Sequence, residues 1–390
     1  MPQDFGTDLL VSIRKDLHRN PEISGKEFST SKRIYTVLKG FQPDALHTGI
    51  GGTGLAAFFK GAQPGPLIMV RSELDALPIK EVNSFEHRSQ VSGVSHKCGH
   101  DGHMAIVTGV ARYFSKNRPE KGEVMVLFQP SEETGEGAGR VVADPFFKER
   151  RPDAAIALHN LPGYPLNRVV LRNGVFASAS KGMIVRLHGK TSHAAEPQKG
   201  LTPSMAVSDI IRDLSYLENE PVFRSFVLLT IIHVRVGEIA FGTTPGEAVV
   251  MATLRAYDNN EMDMLADKAV DIVQRNSRLH GLRCDVSWTE EFLATENDIQ
   301  INNIVEQVAQ KNGFDVTHMQ RPFKWSEDFS YFTREIPGVL FGLGAGENHP
   351  ELHNPDYDFP DELIESGVKM FTGICEQLLT ESVKWQKLLS

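Results

Sequence analysis

The sequence of 390 residues contains little cysteine, with only Cys98, Cys284 and Cys375. Three cysteines cannot form a disulfide framework, and an odd number in a chain of this length favours a reducing compartment. The N-terminal segment carries acidic residues and lacks the apolar stretch of a secretory signal peptide. We therefore expect a cytoplasmic protein.

The sequence also lacks an excess of basic residues and a long apolar run. Lys and Arg number 41 against 50 Asp and Glu, which gives a net charge of −9. This balance argues against non-specific binding to nucleic acid or to an anionic membrane. The longest apolar stretch, around 226–233, is too short to cross a bilayer. The content of 41% hydrophobic and 23% charged residues is typical of a globular protein with two or three domains.

The first part of the chain alternates between strand-like and helix-like segments. Apolar runs at 66–70, 123–128 and 153–158 predict buried strands, and the spacing of apolar residues across 103–117 predicts a helix. Strands that are apolar on both faces and alternate with helices are typical of a parallel or mostly parallel α/β sheet.

The middle of the chain follows a different order. Residues 180–290 predict β-α-β-β-α-β, the split ferredoxin-like pattern. We interpret this segment as a domain inserted into a first domain made of 1–179 and 291–390. In the second part of that first domain, a strand is predicted at 338–342 and a long amphipathic helix at 362–389.

The densest group of ligand-type side chains lies at 95–103, just before the predicted helix. It contains three histidines and Cys98. Imidazole and thiolate are strong ligands for zinc and similar cations. If the backbone here is extended, Cys98 and His100 point to the same side.

Further ligand-type side chains stand at the ends of predicted strands. They are Asp75, the adjacent pair Glu132 and Glu133, His159, and His353 within the segment 349–353. Strand ends of an open α/β sheet converge on a ligand-binding crevice. The set is too large for one tetrahedral ion, so it predicts two nearby cations. Beside a cation, one carboxylate of an adjacent pair can be a ligand while the other accepts a proton from water.

Two other functions compete with that of a metal-dependent hydrolase. Cys98 between His96 and His100 could be a cysteine nucleophile with a base, but Glu132, Glu133 and the other strand-end groups would then have no role. In a non-catalytic metal-binding protein, Glu132 would have no role, because it is not needed as a ligand. The glycines of 49–54 match G-x-G-x-x-G, but a strand-like segment follows them, which predicts a turn and no dinucleotide site.

Taken together, the motifs resemble the metal-dependent amidohydrolase and aminoacylase family. Its members include hippurate hydrolases, N-acetyl-diaminopimelate deacetylases and plant auxin-conjugate hydrolases. The resemblance runs through nearly the whole chain in the family's order. It is carried by the segments 17–22, 71–79, 96–103, 129–133, 158–159, 189–194, 253–255 and 352–358.

The resemblance implies a two-metal, aminopeptidase-like α/β catalytic domain with an inserted ferredoxin-like lid and dimerisation domain. It implies N-acyl amino acids or small peptide-like amides as substrates, a homodimer or higher homo-oligomer, and two divalent cations drawn from Mn²⁺, Zn²⁺, Co²⁺ and Ni²⁺. The implied metal ligands are Cys98, His100, Glu133, His159 and His353. Glu132 would be the general base that deprotonates water activated by the cations, and Asp75 would orient a ligand. His193 would stabilise the oxyanion, often from the partner subunit, and Arg255 would bind a substrate carboxylate.

Two segments depart from the family pattern. The lid segment that often reads Asn-Val-Ile-Pro is Gly-Thr-Thr-Pro at 242–245, so an asparagine that helps to hold substrate is missing. The usual Asp-x-Asp is Glu73-Leu74-Asp75. Both changes concern the choice of substrate more than the catalytic step.

Overall fold

The structure is a computed structural model, and it describes residues 5–380. Helices and strands alternate along most of this range. The helices are α1 Thr7–Arg19, α2 Phe28–Gly40, α3 His100–Lys116, α4 Gly137–Ala143, α5 Pro145–Glu149, α6 Ser204–Tyr216, α7 Asn259–Leu279, α8 Ile299–Lys311, α9 Ser330–Glu335 and α10 Glu362–Thr380. None of the helices within residues 5–380 is both long and apolar enough to span a membrane.

The strands follow the apolar runs of the sequence. They are β1 Ala45–Ile50, β2 Gly54–Lys60, β3 Gln63–Glu73, β4 Lys121–Gln129, β5 Ala154–Pro162, β6 Val169–Leu171, β7 Gly174–Ala177, β8 Ala179–His188, β9 Ser192–His193, β10 Val227–Val236, β11 Thr243–Thr244, β12 Glu247–Ala256, β13 Arg283–Phe292, β14 Thr295–Asn297, β15 Val316–His318 and β16 Gly338–Gly346. The turn predicted from the glycines joins β1 to β2, where Gly51 and Gly52 have positive φ.

The described chain divides into two compact units. The larger unit contains the chain up to Phe176, Thr295–Arg321 and the chain from Glu327 onward. The smaller unit contains Ala177–Ala294 and Pro322–Ser326. The predicted helix 362–389 is present up to Thr380, and the rest of that prediction lies outside the described residues.

The larger unit is built on an eight-stranded mixed sheet, with the order β1-β2-β4-β3-β5-β16-β6-β15. The pairings β3 with β4, β3 with β5, and β5 with β16 are parallel, so the prediction of a parallel sheet holds at its centre. The pairs β1–β2, β2–β4 and β16–β6 are antiparallel. Helices α3 and α10 pack on each other and on β3 and β4, and their apolar side chains form one core with the central strands.

The parallel arrangement brings the ends of β3, β4, β5 and β16 to one edge of the sheet. The chain segments that leave these strands carry most of the predicted ligand groups. Two local details differ from the predictions. Strand β5 continues past His159 to Pro162, and α3 begins at His100 instead of near His103. Gly99, with φ of 90°, turns the chain into α3, so the backbone between Cys98 and His100 is not extended.

The smaller unit contains a four-stranded antiparallel sheet with the order β10-β12-β8-β13. Helices α6 and α7 pack on this sheet, and the succession β8-α6-β10-β12-α7-β13 is the order of elements that the sequence predicts. Met183, Val185 and Leu187 of β8 are buried, while Arg186 between them is exposed. This alternation is typical of a sheet covered by helices on one face.

Candidate active site

Two buried histidines turn the same ring nitrogen toward Cys98 and the acidic pair. The Nδ1 atom of His100 lies 2.9 Å from the carbonyl oxygen of Asp75, and Nδ1 of His159 lies 2.9 Å from the carbonyl oxygen of Asn160. A backbone carbonyl accepts only from a protonated nitrogen, so Nε2 is the nitrogen that each ring can offer to a metal ion. The Nε2 atom of His159 lies 3.5 Å from the sulfur of Cys98.

The acidic pair sits on a loop that is fixed through its backbone. The N–H groups of Glu132 and Glu133 donate to the two carboxylate oxygens of Asp75, at 3.1 and 3.0 Å. The N–H of Ser131, which has a positive φ of 53°, donates to buried Glu27 at 2.9 Å. Three consecutive backbone N–H groups are thus bound to buried carboxylates, which leaves both glutamate side chains available to the site.

Glu133 lies between His100 and His353. One carboxylate oxygen lies 3.8 Å from Nε2 of His100, and the other lies 3.7 Å from Nε2 of His353. Ligand-type atoms lie within 4.8 Å of one another in Cys98, His100 and His159, in Cys98, Glu133 and His353, and in His100, Glu132 and Glu133. The structure therefore brings together all the residues of the larger unit that the sequence proposed as ligands or base.

Negative charge in this cluster exceeds positive charge, and the pKa values respond to it. Burial, with Glu327 and Glu133 nearby, raises the pKa of Glu132 well above its ordinary value. Burial also raises the pKa of Glu133 to about 7, although His100 opposes the shift. Burial alone would lower the pKa of His100, but Asp75 and Glu73 raise it to about 10. Each of these pKa shifts favours the protonation state with less net negative charge. A bound cation would compensate this excess of negative charge.

The donor atoms fit a pair of divalent cations. His100 Nε2 and Glu133 Oε1 are buried and have no hydrogen-bond partner, although buried polar atoms nearly always have one. Thiolate, imidazole and carboxylate are the ligands of zinc and similar transition metals. The site thus has the ligand types, the unpartnered atoms and the charge that such ions require.

The same charges disfavour Cys98 as a nucleophile. Burial, with Glu133 and Glu132 nearby, raises the pKa of the Cys98 thiol well above its ordinary value. Burial lowers the pKa of the neighbouring His159 to about 3. A catalytic cysteine needs a positive environment that stabilises its thiolate, and this environment is negative.

Comparison with known proteins agrees with this geometry. Residues 69–377 match the model of peptidase family M20/M25/M40. An N-acetyl-L-cysteine deacetylase of Bacillus subtilis is 32% identical over 364 residues, which cover 91% of this chain and 84% of the relative. The chain belongs to peptidase family M20/M25/M40.

Other relatives extend the match over the whole fold. An N-acetyldiaminopimelate deacetylase of Brevibacillus brevis is 28% identical, over 95% of this chain and 99% of the relative. The crystal structure of a dinuclear metal binding peptidase from this family, from Bacillus subtilis, has a TM-score of 0.82 and 25% sequence identity. The structural match covers 97% of this chain and 99% of the chain of that peptidase. The predictions of an α/β fold and of a metal-dependent amidohydrolase are confirmed.

Several residues around the site were not recognised in the sequence. Arg71 is fully buried and contacts Glu73, while its Nη2 donates to Glu327 at 2.8 Å and to Asp328 at 2.7 Å. The N–H of Asp328 lies 3.4 Å from Glu132 Oε1, so this arginine fixes a segment that contacts the acidic pair. The adjacent carboxylates of Glu327 and Asp328 resemble the pair at 132–133 and were the available signal, but no predicted strand precedes them.

His103 is excluded from the ligand set by its contacts. Its Nδ1 lies 2.7 Å from a carboxylate oxygen of Glu73, and its Nε2 lies 2.6 Å from Oδ1 of Asn160. Both ring nitrogens therefore have partners. The third histidine of the 95–103 segment, His96, is buried as well, and neither of its ring nitrogens has a hydrogen-bond partner.

The remaining two predicted site residues belong to the smaller unit. His193 is exposed on β9, which pairs with β11 through Thr243 opposite His193. Arg255 lies on β12, where its Nη1 donates to the carbonyl oxygen of Lys324 at 2.8 Å and to Ser326 Oγ at 3.2 Å. Burial lowers the pKa of Arg255.

Proposed function

We propose that this chain hydrolyses the amide bond of N-acyl amino acids. The observation that carries the proposal is the adjacent pair Glu132 and Glu133, whose backbone N–H groups are bound by Asp75. The pair lies among the cysteine sulfur and histidine nitrogen atoms that could bind a metal ion. The N-acetyl-L-cysteine and N-acetyldiaminopimelate deacetylases described above support small acylated amino acids as the substrate class.

Cys98, His100, Glu133, His159 and His353 would hold two divalent cations, in keeping with the dinuclear relative. Such cations, when bound, polarise an amide carbonyl and make water more acidic. We keep Mn²⁺, Zn²⁺, Co²⁺ and Ni²⁺ as the candidates, since Cys98 favours the softer ions and availability decides in cells.

Glu132 acts as the general base in this proposal. It accepts a proton from the attacking water as the water oxygen bonds to the amide carbon. It then passes that proton to the amine nitrogen as the carbon–nitrogen bond breaks. Burial and the neighbouring carboxylates raise the pKa of Glu132, which makes its carboxylate a stronger proton acceptor than an ordinary one.

The smaller unit supplies substrate contacts in the proposal and acts as lid and dimerisation domain. His193 donates to the oxyanion that develops on the carbonyl oxygen, and Arg255 binds the substrate carboxylate. Strand β10 is an edge strand of its sheet, and Ile239 and Phe241 just beyond it are fully exposed. An exposed edge next to apolar side chains supports pairing with a second copy of the chain.

The first test removes the proposed general base. Glu132→Gln should lower kcat for N-acetyl amino acids by about 10²–10⁴-fold, because the amide cannot accept a proton. Metal content should stay unchanged, since Glu133 remains. Glu136→Gln is the matched control, because Glu136 is an exposed carboxylate of the same segment. Near-normal turnover by the metal-loaded Glu132→Gln variant would disprove the assignment.

Mixing then tests the role of His193 across subunits. Glu132→Gln and His193→Ala each abolish turnover alone, but a mixed dimer of the two contains one site with both native residues. Recovered activity on mixing, together with a dimer in sedimentation, is the expected result. A fully active monomer would contradict the exchange of His193 between subunits.

A further inference from the structure

Lys97 is a fully buried cation immediately before Cys98, and the proposed reaction does not use it. Its side chain is 0% exposed. The ammonium group contacts the carboxylate of Glu81, donates to the carbonyl oxygen of Tyr357 at 2.7 Å and lies 3.5 Å from Oδ1 of Asn83. Its hydrogen-bonding capacity is therefore directed to two loops, at 81–83 and 353–357.

Lys97 holds the 353–357 loop at both ends. The backbone N–H of His353 donates to the carbonyl oxygen of Lys97 at 2.8 Å, and the Lys97 ammonium binds the carbonyl oxygen of Tyr357 at the other end. Asn83 Nδ2 donates to the carbonyl oxygen of Asp356 at 2.9 Å, so the second loop supports the first. One residue thus connects the His353 loop to the backbone that carries Cys98.

His353 is the proposed ligand that most needs such support. The other nitrogen and sulfur ligands are buried: His159 lies in β5, His100 begins α3, and Cys98 comes two residues before it. The His353 side chain, by contrast, is 51% exposed on a loop. Its φ of 65° is in the left-handed region, which is unfavourable for a residue other than glycine. Such a conformation persists only when surrounding contacts enforce it.

Stability alone does not account for a buried lysine at this position. A buried ion pair is often no more stable than apolar residues of similar volume, because both charges lose hydration. What Lys97 supplies, and an apolar side chain does not, is a set of directed hydrogen bonds to Glu81, Asn83 and Tyr357.

We propose that Lys97 is a positioning residue for His353, and that the affinity of the site for the cation bound through Cys98, Glu133 and His353 depends on it. The inference rests on the proposed function, because it takes His353 as a ligand. It goes further in assigning metal affinity to a residue that touches no reacting group.

The experiment measures Mn²⁺ binding to the purified full chain by equilibrium dialysis with metal analysis. Loss of groups that orient metal ligands typically costs about 10–100-fold in affinity. We expect Lys97→Met to weaken the binding of one of the two Mn²⁺ ions by about that factor and to leave the affinity for the other ion unchanged. Saturating Mn²⁺ should restore kcat, which a damaged fold would not allow. Lys80→Met, an exposed lysine of the same region, is the control and should bind as the wild type does.

A double-mutant cycle with His353→Ala separates positioning from general damage. If Lys97 acts through His353, Lys97→Met with His353→Ala should bind Mn²⁺ no more weakly than His353→Ala alone. Wild-type affinity in Lys97→Met, or additive losses in the double variant, would overturn the inference. Unchanged Mn²⁺ binding by His353→Ala would instead refute the ligand assignment of the proposed function.

A second variant keeps the test usable if Lys97→Met does not fold. Lys97→Met combined with Glu81→Gln removes both charges, so no uncompensated carboxylate stays buried. This neutral pair should show the same selective loss of one Mn²⁺, and full binding of both ions by it would overturn the inference.

Discussion

Two buried polar clusters of the larger unit interleave in one short segment of sequence. The first, here called the cation cluster, contains Cys98, His100, Glu132, Glu133, His159 and His353. The second, here called the ion-pair cluster, contains Arg14, His18, Glu81, Lys97, Asp101 and Asp358. Lys97 and Asp101 flank the ligands Cys98 and His100, yet they belong to the other cluster.

The pKa values of carboxylates move in opposite directions in the two clusters. Burial raises the pKa of Glu133 to about 7 in the cation cluster. In the ion-pair cluster burial acts in the same sense, but His18 and Lys97 lower the pKa of Glu81 to about 2. The difference is in the balance of charge, since Arg14, His18 and Lys97 face the carboxylates of the ion-pair cluster, whereas His100 is the group that opposes the shift of Glu133.

Ligand-type atoms alone do not separate the clusters. His18, Asp101 and Asp358 also offer donor atoms within 4.8 Å of one another. Arg14 Nη1 donates to Asp101 at 3.1 Å and to Asp358 at 2.9 Å, so the positive charge of a guanidinium already compensates these carboxylates. Uncompensated charge therefore distinguishes a metal site better than residue types do.

Removal of metal should have the largest effect and should act on the cation cluster alone. Dialysis against a chelator should reduce hydrolysis of N-acetyl amino acids to background, and added Mn²⁺, Zn²⁺ or Co²⁺ should restore it. Alkylation of the metal-loaded enzyme is the comparison for Cys98. Activity that survives the chelator but not the alkylating agent would favour the cysteine nucleophile.

Removal of the guanidinium at the centre of the ion-pair cluster should strongly destabilise the fold. Arg14→Met leaves the buried carboxylate of Asp101 without this partner, and breaking a buried pair typically costs about 3–5 kcal/mol in the free energy of unfolding. Urea unfolding measures the change. Arg118→Met, which removes an exposed pair with Asp44, is the control and should cost no more than about 1 kcal/mol. Equal losses of unfolding free energy in the two variants would show that the ion-pair cluster stabilises the fold no more than an exposed ion pair does.

The contribution of His18 should depend on pH and is the smallest of these effects. Burial lowers its pKa, but Asp101 and Glu81 raise it to about 9 from an ordinary 6.5. The folded state therefore binds the proton more tightly, and the stabilisation is complete below pH 6.5 and lost as pH rises through about 9. His18→Gln should cost about 1.5–3 kcal/mol at pH 6, and progressively less toward pH 9. A loss that does not change with pH would show that His18 is neutral in the fold.

Much of the cation cluster could be predicted because its members follow a local rule. The 132–133 pair comes shortly after an apolar strand, as does Asp75, which binds its backbone, and parallel strands end at the same sheet edge. The domain bounds and the roles of His193 and Arg255 stay predictions. Glu27, Arg71 and Asp328 were not predicted, because their partners are far along the chain. The Arg71–Asp328 contact, for example, joins residues 257 positions apart.

The ion-pair cluster was not predicted for the same reason. Arg14 lies on an amphipathic helix, where a solvated side chain is the ordinary expectation, but it is buried against Asp358 and Asp361 near the other end of the chain. Likewise, helix α3 begins at His100 because Gly99 adopts a positive φ, which spacing alone does not reveal.

The sequence by itself determined the α/β fold, the central strands and helices of the larger unit, and the residue types that meet at the sheet edge. Periodicity and strand ends are local properties, so they can be recognised from neighbouring residues. Only the tertiary structure decided in which cluster positive charge compensates the buried carboxylates. That distinction depends on charges brought together from distant positions, because the interaction between two charges depends on their separation in space and on burial.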